Sequence, residues 1–130
     1  MISAIYAAIS ALLIVWLSLA VIGVRRQQRV SIGDGDNAEL KVAMAAQLNA
    51  VEYIPITLIL LFAVESNGAS WWLIHVFGIA LLIGRFIHAV AIRSHNLGWR
   101  VIGMQVTIFT IIGLAIANLF YVPYRELLRL

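Results

Sequence analysis

Four stretches of this sequence are long and apolar enough to cross a lipid bilayer, and only short polar segments separate them. They cover residues 2–24, 38–64, 70–92 and 101–121, give or take a turn. The bilayer core offers no water to hydrogen-bond the backbone, so apolar runs of about 20 residues cross it as helices. The expectation is an all-α membrane protein, a bundle of four transmembrane helices forming one domain over residues 1–130. Composition agrees: 63% of residues are hydrophobic and only 12% are charged, against about 25% charged in soluble domains.

Several function classes fall away at once. The chain has no cysteine, which excludes disulfides and thiolate chemistry of its own. Asp34-x-Asp36 lacks the third acid and the distant glutamate of a calcium loop, so no metal site is expected. The net charge of +3 comes from a few basic residues where the apolar runs end, so nucleic acid is not an expected partner. Residues 1–24 carry no charged side chain and hence no basic leader region ahead of the first apolar run.

The connections set the topology. Arg25-Arg26-Gln27-Gln28-Arg29 closes the first span, and the turn-forming segment 30–37 leads to Asp36 or Asn37 as cap of the second. Glu65-Ser66-Asn67-Gly68 makes spans two and three antiparallel neighbours, and Trp71-Trp72 opens span three at the interface. The polar stretch 93–100 leads into span four, which Pro123 closes. Arg25, Arg26, Arg29, Lys41, Arg93 and Arg100 fall on one side of the membrane, and only Arg125 and Arg129 on the other. The positive-inside rule places the first group in the cytoplasm and both termini on the periplasmic or outer side. Small residues at four-residue spacing, Ala80/Gly84 and Gly113/Ala117, allow helices to approach closely.

Within span two lies Gln47-Leu48-Asn49-Ala50-Val51-Glu52-Tyr53-Ile54-Pro55. An acid at the centre of a membrane helix costs about 2.5–3.5 kcal/mol, so Glu52 calls for a purpose. On a helical wheel Lys41, Ala45, Asn49 and Glu52 lie within about 80° of one another, the cation nearest the cytoplasm and the acid deepest. Pro55 removes the amide that would bond the Val51 carbonyl, so a bend is expected there. On span three Arg85 and His88 share a face, with Arg85 at about the depth of Asn49. Glu52 is the acid at comparable depth, which suggests an Arg85–Glu52 pair within or between subunits. His75 reads as an interfacial residue near the outer end. Arg25, Arg26, Arg29, Lys41, Arg85, His88, Arg93 and Arg100 together suggest a cytoplasm-facing cationic funnel. Such a funnel suits an anionic ligand that meets a lipophilic one. A purely structural polar stripe explains span two equally well.

These residues resemble the MAPEG family, membrane-associated proteins in eicosanoid and glutathione metabolism, and most closely its small bacterial branch. The similarity rests on Gln47-x-Asn49-x-x-Glu52-Tyr53-x-Pro55, Gly84-Arg85-x-x-His88-Ala89 and Arg100-x-x-Gly103-Met104. Gly33-Asp34-Gly35-Asp36 and Arg25-Arg26 fit as well, so the likeness runs through the whole chain in order. It implies a homotrimer in the bacterial inner membrane, with glutathione as co-substrate held between subunits on the cytoplasmic side. The implied glutathione-binding residues are Arg26, Asn49, Glu52, Tyr53 and Arg85, with Arg100 as the group that stabilises the thiolate. His88 and Lys41 complete the set, Lys41 because many members carry an arginine where this chain has Ala45. His88 and Ile92 stand in place of the tyrosines of the eicosanoid-synthesising members, which argues against leukotriene synthesis. Ala91 stands where the bacterial pattern usually has glycine.

The function so implied is a glutathione transferase or peroxidase acting on small lipophilic electrophiles drawn from the membrane lipid. The alternative is a non-catalytic lipid-binding or scaffold trimer of the same family. A proton-coupled exporter using Glu52 is disfavoured, because a carboxylate neutralised by Arg85 is a poor cation site. The topology has its own test: a reporter fused to the C-terminus should be active outside the cytoplasm, and activity confined to the cytoplasm reverses the orientation.

Overall fold

The computed structural model describes residues 1–129. It contains α1 (Ser3–Gln28), α2 (Ala38–Ser66), α3 (Trp71–Arg93), α4 (Leu97–Tyr121) and a single turn, α5 (Tyr124–Leu127). The four long helices are each long and apolar enough to cross a membrane, which bears out the four-span bundle. α2 and α3 form a central pair. α1 packs on one side of it and α4 on the other, and the α1 and α4 backbones do not approach each other closely among the described residues.

Local chemistry sets the ends of these helices. Asn37 caps α2, its Oδ1 accepting the Leu40 N–H at 2.9 Å. α3 ends with His95 in the left-handed region, φ +57°. There the Asn96 N–H reaches back to the Ala91 carbonyl at 2.9 Å, satisfying a carbonyl the helix leaves open. Asn96 then caps α4 by accepting the Trp99 N–H at 3.2 Å. α4 therefore starts at Leu97. Residues 97–100, expected as part of a connection, form its first turn instead. α2 stays helical through Pro55.

Two apolar cores hold the bundle. One joins Leu13 and Leu17 of α1, Ala46, Ala50 and Ile54 of α2, and Ala89 and Ile92 of α3. The other, towards the opposite end, joins Tyr6, Leu61, Val64, Ile74 and Leu114. At that end Glu65 accepts hydrogen bonds from the backbone N–H groups of Ile2 and, at 2.9 Å, Ser3. A carboxylate on the open N–H groups of α1, where the helix dipole is positive, ties the end of α2 to the start of α1. His75 is half-buried here, its Nδ1 2.6 Å from the Tyr6 hydroxyl. Asn118 donates across helices to the Leu60 carbonyl at 2.9 Å.

The first half of α4 contributes nothing to either apolar core. It meets α3 through glycine. A Cβ on Gly103 would lie 2.7 Å from the His88 nitrogen and 2.9 Å from the Gly84 carbonyl oxygen, and one on Gly84 would lie 2.9 Å from the Thr107 hydroxyl. Gly84 does allow close approach, as its spacing suggested, but its partner is Gly103. The outer surface is largely apolar, with Leu12, Leu19, Phe62, Ile79, Phe109 and Leu119 all exposed, as suits helices whose solvent is lipid.

The glycine contact yields a stability prediction. Gly103→Ala forces backbone apart and should destabilise the detergent-solubilised protein by about 1–3 kcal/mol. A Cβ on Gly23 would meet nothing within 4 Å, so Gly23→Ala should be neutral or stabilising by up to about 1 kcal/mol. Thermal unfolding of the two variants side by side checks both signs.

Candidate functional site

Arg85 is 1% exposed and sits between the two apolar cores. Its position on α3 faces α2 on one side and α4 on the other. One Nη donates to the Asn49 Oδ1 at 2.5 Å. The other donates to the Thr107 hydroxyl at 3.4 Å and lies 3.9 Å from the Met104 sulfur. The guanidinium carbon stands 5.8 Å from the centre of the Tyr53 ring, within range of a cation–π attraction. All these partners are neutral. Arg85 Nε finds no hydrogen-bond partner among the described residues, and neither ring nitrogen of His88 does. His88 is also 1% exposed.

The expected Arg85–Glu52 pair is not made within the protomer. The one ion pair among the described residues joins Lys41 to Asp36. Glu52 is exposed on the outer face of α2. The reason lies in the wheel: Asn49 and Tyr53, four residues apart, straddle the direction of α3, and Glu52 projects past it. The buried cation is thus held by an amide, a hydroxyl, a thioether and an aromatic ring, with its natural counter-charge turned away.

The funnel of basic residues divides into separate places. Lys41, Val42, Ala45, Ala91, Ile92, His95, Asn96, Leu97 and Arg100 line a cleft of about 330 Å³ where α2, α3 and α4 converge. Ala45 and Ala91 contribute apolar side chains to its lining, one helical turn from Asn49 and from His88 respectively. Lys41 stands at its rim with its Nζ 2.8 Å from the Asp36 carboxylate. Arg100, exposed in the first turn of α4, makes no side-chain hydrogen bond or ion pair among the described residues. Arg93 stacks on Trp16 of α1 at 5.0 Å. Arg26 is exposed at the end of α1, in a different cleft from Lys41 and Arg100.

The structure therefore gathers Asn49, Tyr53, Arg85 and His88 into one polar layer, and Lys41 and Arg100 into the cleft beside it. It leaves Glu52 facing outward and Arg26 apart. Thr107 and His95 were missed from the sequence. Thr107 stands one turn after Gly103 on the same face, so a search for polar groups behind the glycine would have found it. His95 lines the cleft only because its left-handed backbone turns the chain there, which a lone histidine in a connector does not announce.

The layer has a measurable energetic signature. Asn49→Leu removes a charge-assisted bond from a buried arginine and should cost about 1.5–3 kcal/mol. Glu52→Gln, which breaks no contact within the protomer, should leave the intrinsic stability of a protomer unchanged. Denaturant unfolding in detergent at a concentration that keeps protomers apart reads the difference.

The MAPEG family model matches residues 3–120. Among curated proteins, the inner membrane protein YecN of Escherichia coli K12 is 42% identical over 125 residues, covering 96% of this chain and 95% of that protein. The protein of the same name from Escherichia coli O6:H1 matches to the same extent. With the family pattern running across nearly the whole chain and four membrane-length helices to carry it, the protein belongs to the MAPEG family.

Proposed function

We propose that the protein is a membrane-embedded, glutathione-dependent transferase or peroxidase whose site is completed between copies of the chain. The observation that carries this reading is the buried Arg85, which pairs with no acid among the described residues, while Glu52 projects outward from the same layer. A buried guanidinium without a carboxylate carries a desolvation cost of several kcal/mol. A ligand that brings carboxylates to Arg85 and an ammonium group to Glu52 relieves both charges together. Glutathione is such a ligand. In this reading Asn49, Tyr53 and His88 contact the peptide alongside Arg85, and Lys41 at the rim stands in for the arginine replaced by Ala45. Arg26 opens onto a separate cleft and is left out of the set. The assembly is a homotrimer, as the family resemblance implies. The name of the Escherichia coli relatives supports an inner-membrane location.

The chemistry follows from charge and solvation. Arg100 has no counter-ion of its own among the described residues. Placed beside the peptide sulfur, its charge favours thiolate over thiol, and the thiolate is the nucleophile. The thiolate attacks a lipophilic electrophile entering from the surrounding lipid, a carbon–sulfur bond forms, and the leaving group departs with the electron pair. With a lipid hydroperoxide the thiolate attacks the distal oxygen, the O–O bond breaks, and the lipid alkoxide leaves and takes up a proton as the alcohol, so the sulfur becomes a sulfenic acid. A second glutathione thiolate attacks that sulfur, forming the disulfide and expelling hydroxide, which is protonated to water.

A second reading is favoured by one feature, the apolar side chain that Ala45 contributes to the lining of the cleft beside Arg100. A protein keeping that cleft for lipid, with no turnover, would be a non-catalytic lipid-binding or scaffold member. A titration separates the two. Glutathione added to detergent-purified protein should raise thiolate absorbance. Arg100→Ala should abolish the absorbance, and Glu52→Gln should weaken binding about tenfold, equivalent to about 1.4 kcal/mol. Absence of binding by the wild-type protein, with lipid retained through purification, rejects the first reading in favour of the second.

A further inference from the structure

The end of α1 carries a second concavity, which neither the polar layer nor the cleft beside Arg100 uses. It is a shallow, open groove of about 400 Å³ lined by Ile22, Arg25, Arg26, Arg29, Val30 and Ser31. No acid lines it. The two acids of the following connector are engaged elsewhere: Asp34 accepts the Asp36 N–H at 2.9 Å, and Asp36 pairs with Lys41. Arg25 turns into the connector and donates to the Gly33 carbonyl at 2.7 Å and the Val30 carbonyl at 3.4 Å. Arg26 and Arg29 are exposed and form no ion pair among the described residues.

Backbone geometry fixes Arg29 there. It closes α1 in the left-handed region, φ 54° and ψ 42°, with its N–H on the Arg25 carbonyl, and the Val30 N–H reaches the same carbonyl at 3.1 Å. A non-glycine residue pays about 1–2 kcal/mol for that conformation. The positive-inside rule accounts for basic residues at a helix end. It does not account for their convergence on one hollow with no counter-charge. Below the hollow, Leu12, Val15, Leu19 and Ile22 are 70%, 52%, 60% and 44% exposed. Their three- and four-residue spacing makes one apolar face of α1 that ends at the arginines. The hollow therefore sits where an exposed membrane helix meets the headgroup level.

We infer that this hollow binds an anionic phospholipid, its phosphate between Arg26 and Arg29 and an acyl chain along the Leu12–Ile22 face. Guanidinium groups match phosphate oxygens in paired, charge-assisted hydrogen bonds, and the apolar face continues the same surface without interruption. The inference uses none of the residues that the proposed thiol-peptide site retains, and it reassigns Arg26, which the family resemblance places in the glutathione set. It also gives Arg26 a role that the polar layer does not.

The test uses the full-length protein, purified in detergent and stripped of lipid. Phosphatidylglycerol, phosphatidylcholine and inorganic phosphate are added separately, and adducts are read by native mass spectrometry alongside thermal stability. Phosphatidylglycerol should be retained at least tenfold better than phosphatidylcholine, with a preference that shrinks at high salt. Arg29→Gly removes the cation while suiting the left-handed backbone, so its lipid-free stability should equal or exceed that of the parent. Its phosphatidylglycerol retention should fall about tenfold, and that of Arg26→Gln likewise. Equal retention of the two lipids, or retention unchanged in both variants, overturns the site. Protection by inorganic phosphate matching that by phosphatidylglycerol overturns the lipid assignment in favour of a soluble anion.

Discussion

The hydrogen bond from Arg85 to Asn49 is the constraint around which this bundle is arranged. A guanidinium at 1% exposure among membrane helices cannot be left to water, so every helix that touches it has to offer something polar. α2 offers the Asn49 amide and the Tyr53 ring, and α4 offers the Thr107 hydroxyl. α4 can reach so far only because Gly84 and Gly103 bring its backbone against α3. On α3 Arg85 lies between the residues of the two apolar cores, while on α2 Ala50 and Ile54 of the first core alternate with Asn49 and Tyr53. The glycine contact and the polar layer are thus one device: the first brings the helices close enough for the second to form.

The layer is hydrogen-bonded only to neutral groups, leaves Arg85 Nε and both His88 ring nitrogens without a partner among the described residues, and is incomplete in charge. Neutral partners recover only part of what an arginine loses on leaving water, about 1.5–3 kcal/mol for each bond to the charged group, against a desolvation cost of several kcal/mol. Glu52 has the converse problem. It is exposed on the protomer surface at a depth where an acid costs about 2.5–3.5 kcal/mol. In the proposed reading these two uncompensated charges of opposite sign, close in depth and turned apart, are half of a site. A neighbouring copy together with a zwitterionic peptide supplies the other half in the proposed reading.

Much of this was legible in the sequence, for reasons that can be named. Membrane-length apolar runs and the turn chemistry of Asn37 and Gly68 give the four helices directly, because bilayer thickness and capping are local rules. Arg85, Asn49 and Glu52 stand out because charge and amide are rare at that depth. What was not legible depends on the angle between helices. Heptad-like spacing puts Glu52 on the Lys41–Asn49 stripe, but it does not say which edge of the stripe faces α3, so Asn49 rather than Glu52 was left to be found as the partner. The start of α4 at Leu97 followed from the Asn96 cap, a signal masked by the polar look of residues 97–100. Likewise the apparent funnel of cations was a property of the linear chain. Folding places Arg26 and Arg29 in one hollow, Lys41 and Arg100 in another, and Arg93 on Trp16.

The departure at Ala45 gains a physical meaning from this division. It puts a small apolar side chain in the lining of the cleft next to Arg100 and leaves Lys41, one turn outward and engaged with Asp36, as the cation on the same stripe. The thiol-peptide reading then rests on completion of the polar layer by a second copy. Native mass spectrometry of the protein mixed with glutathione examines that dependence in a single spectrum. The account predicts glutathione adducts on the multimer and none on the free protomer. Adducts of equal occupancy on the free protomer, or a multimer that carries none, would contradict it.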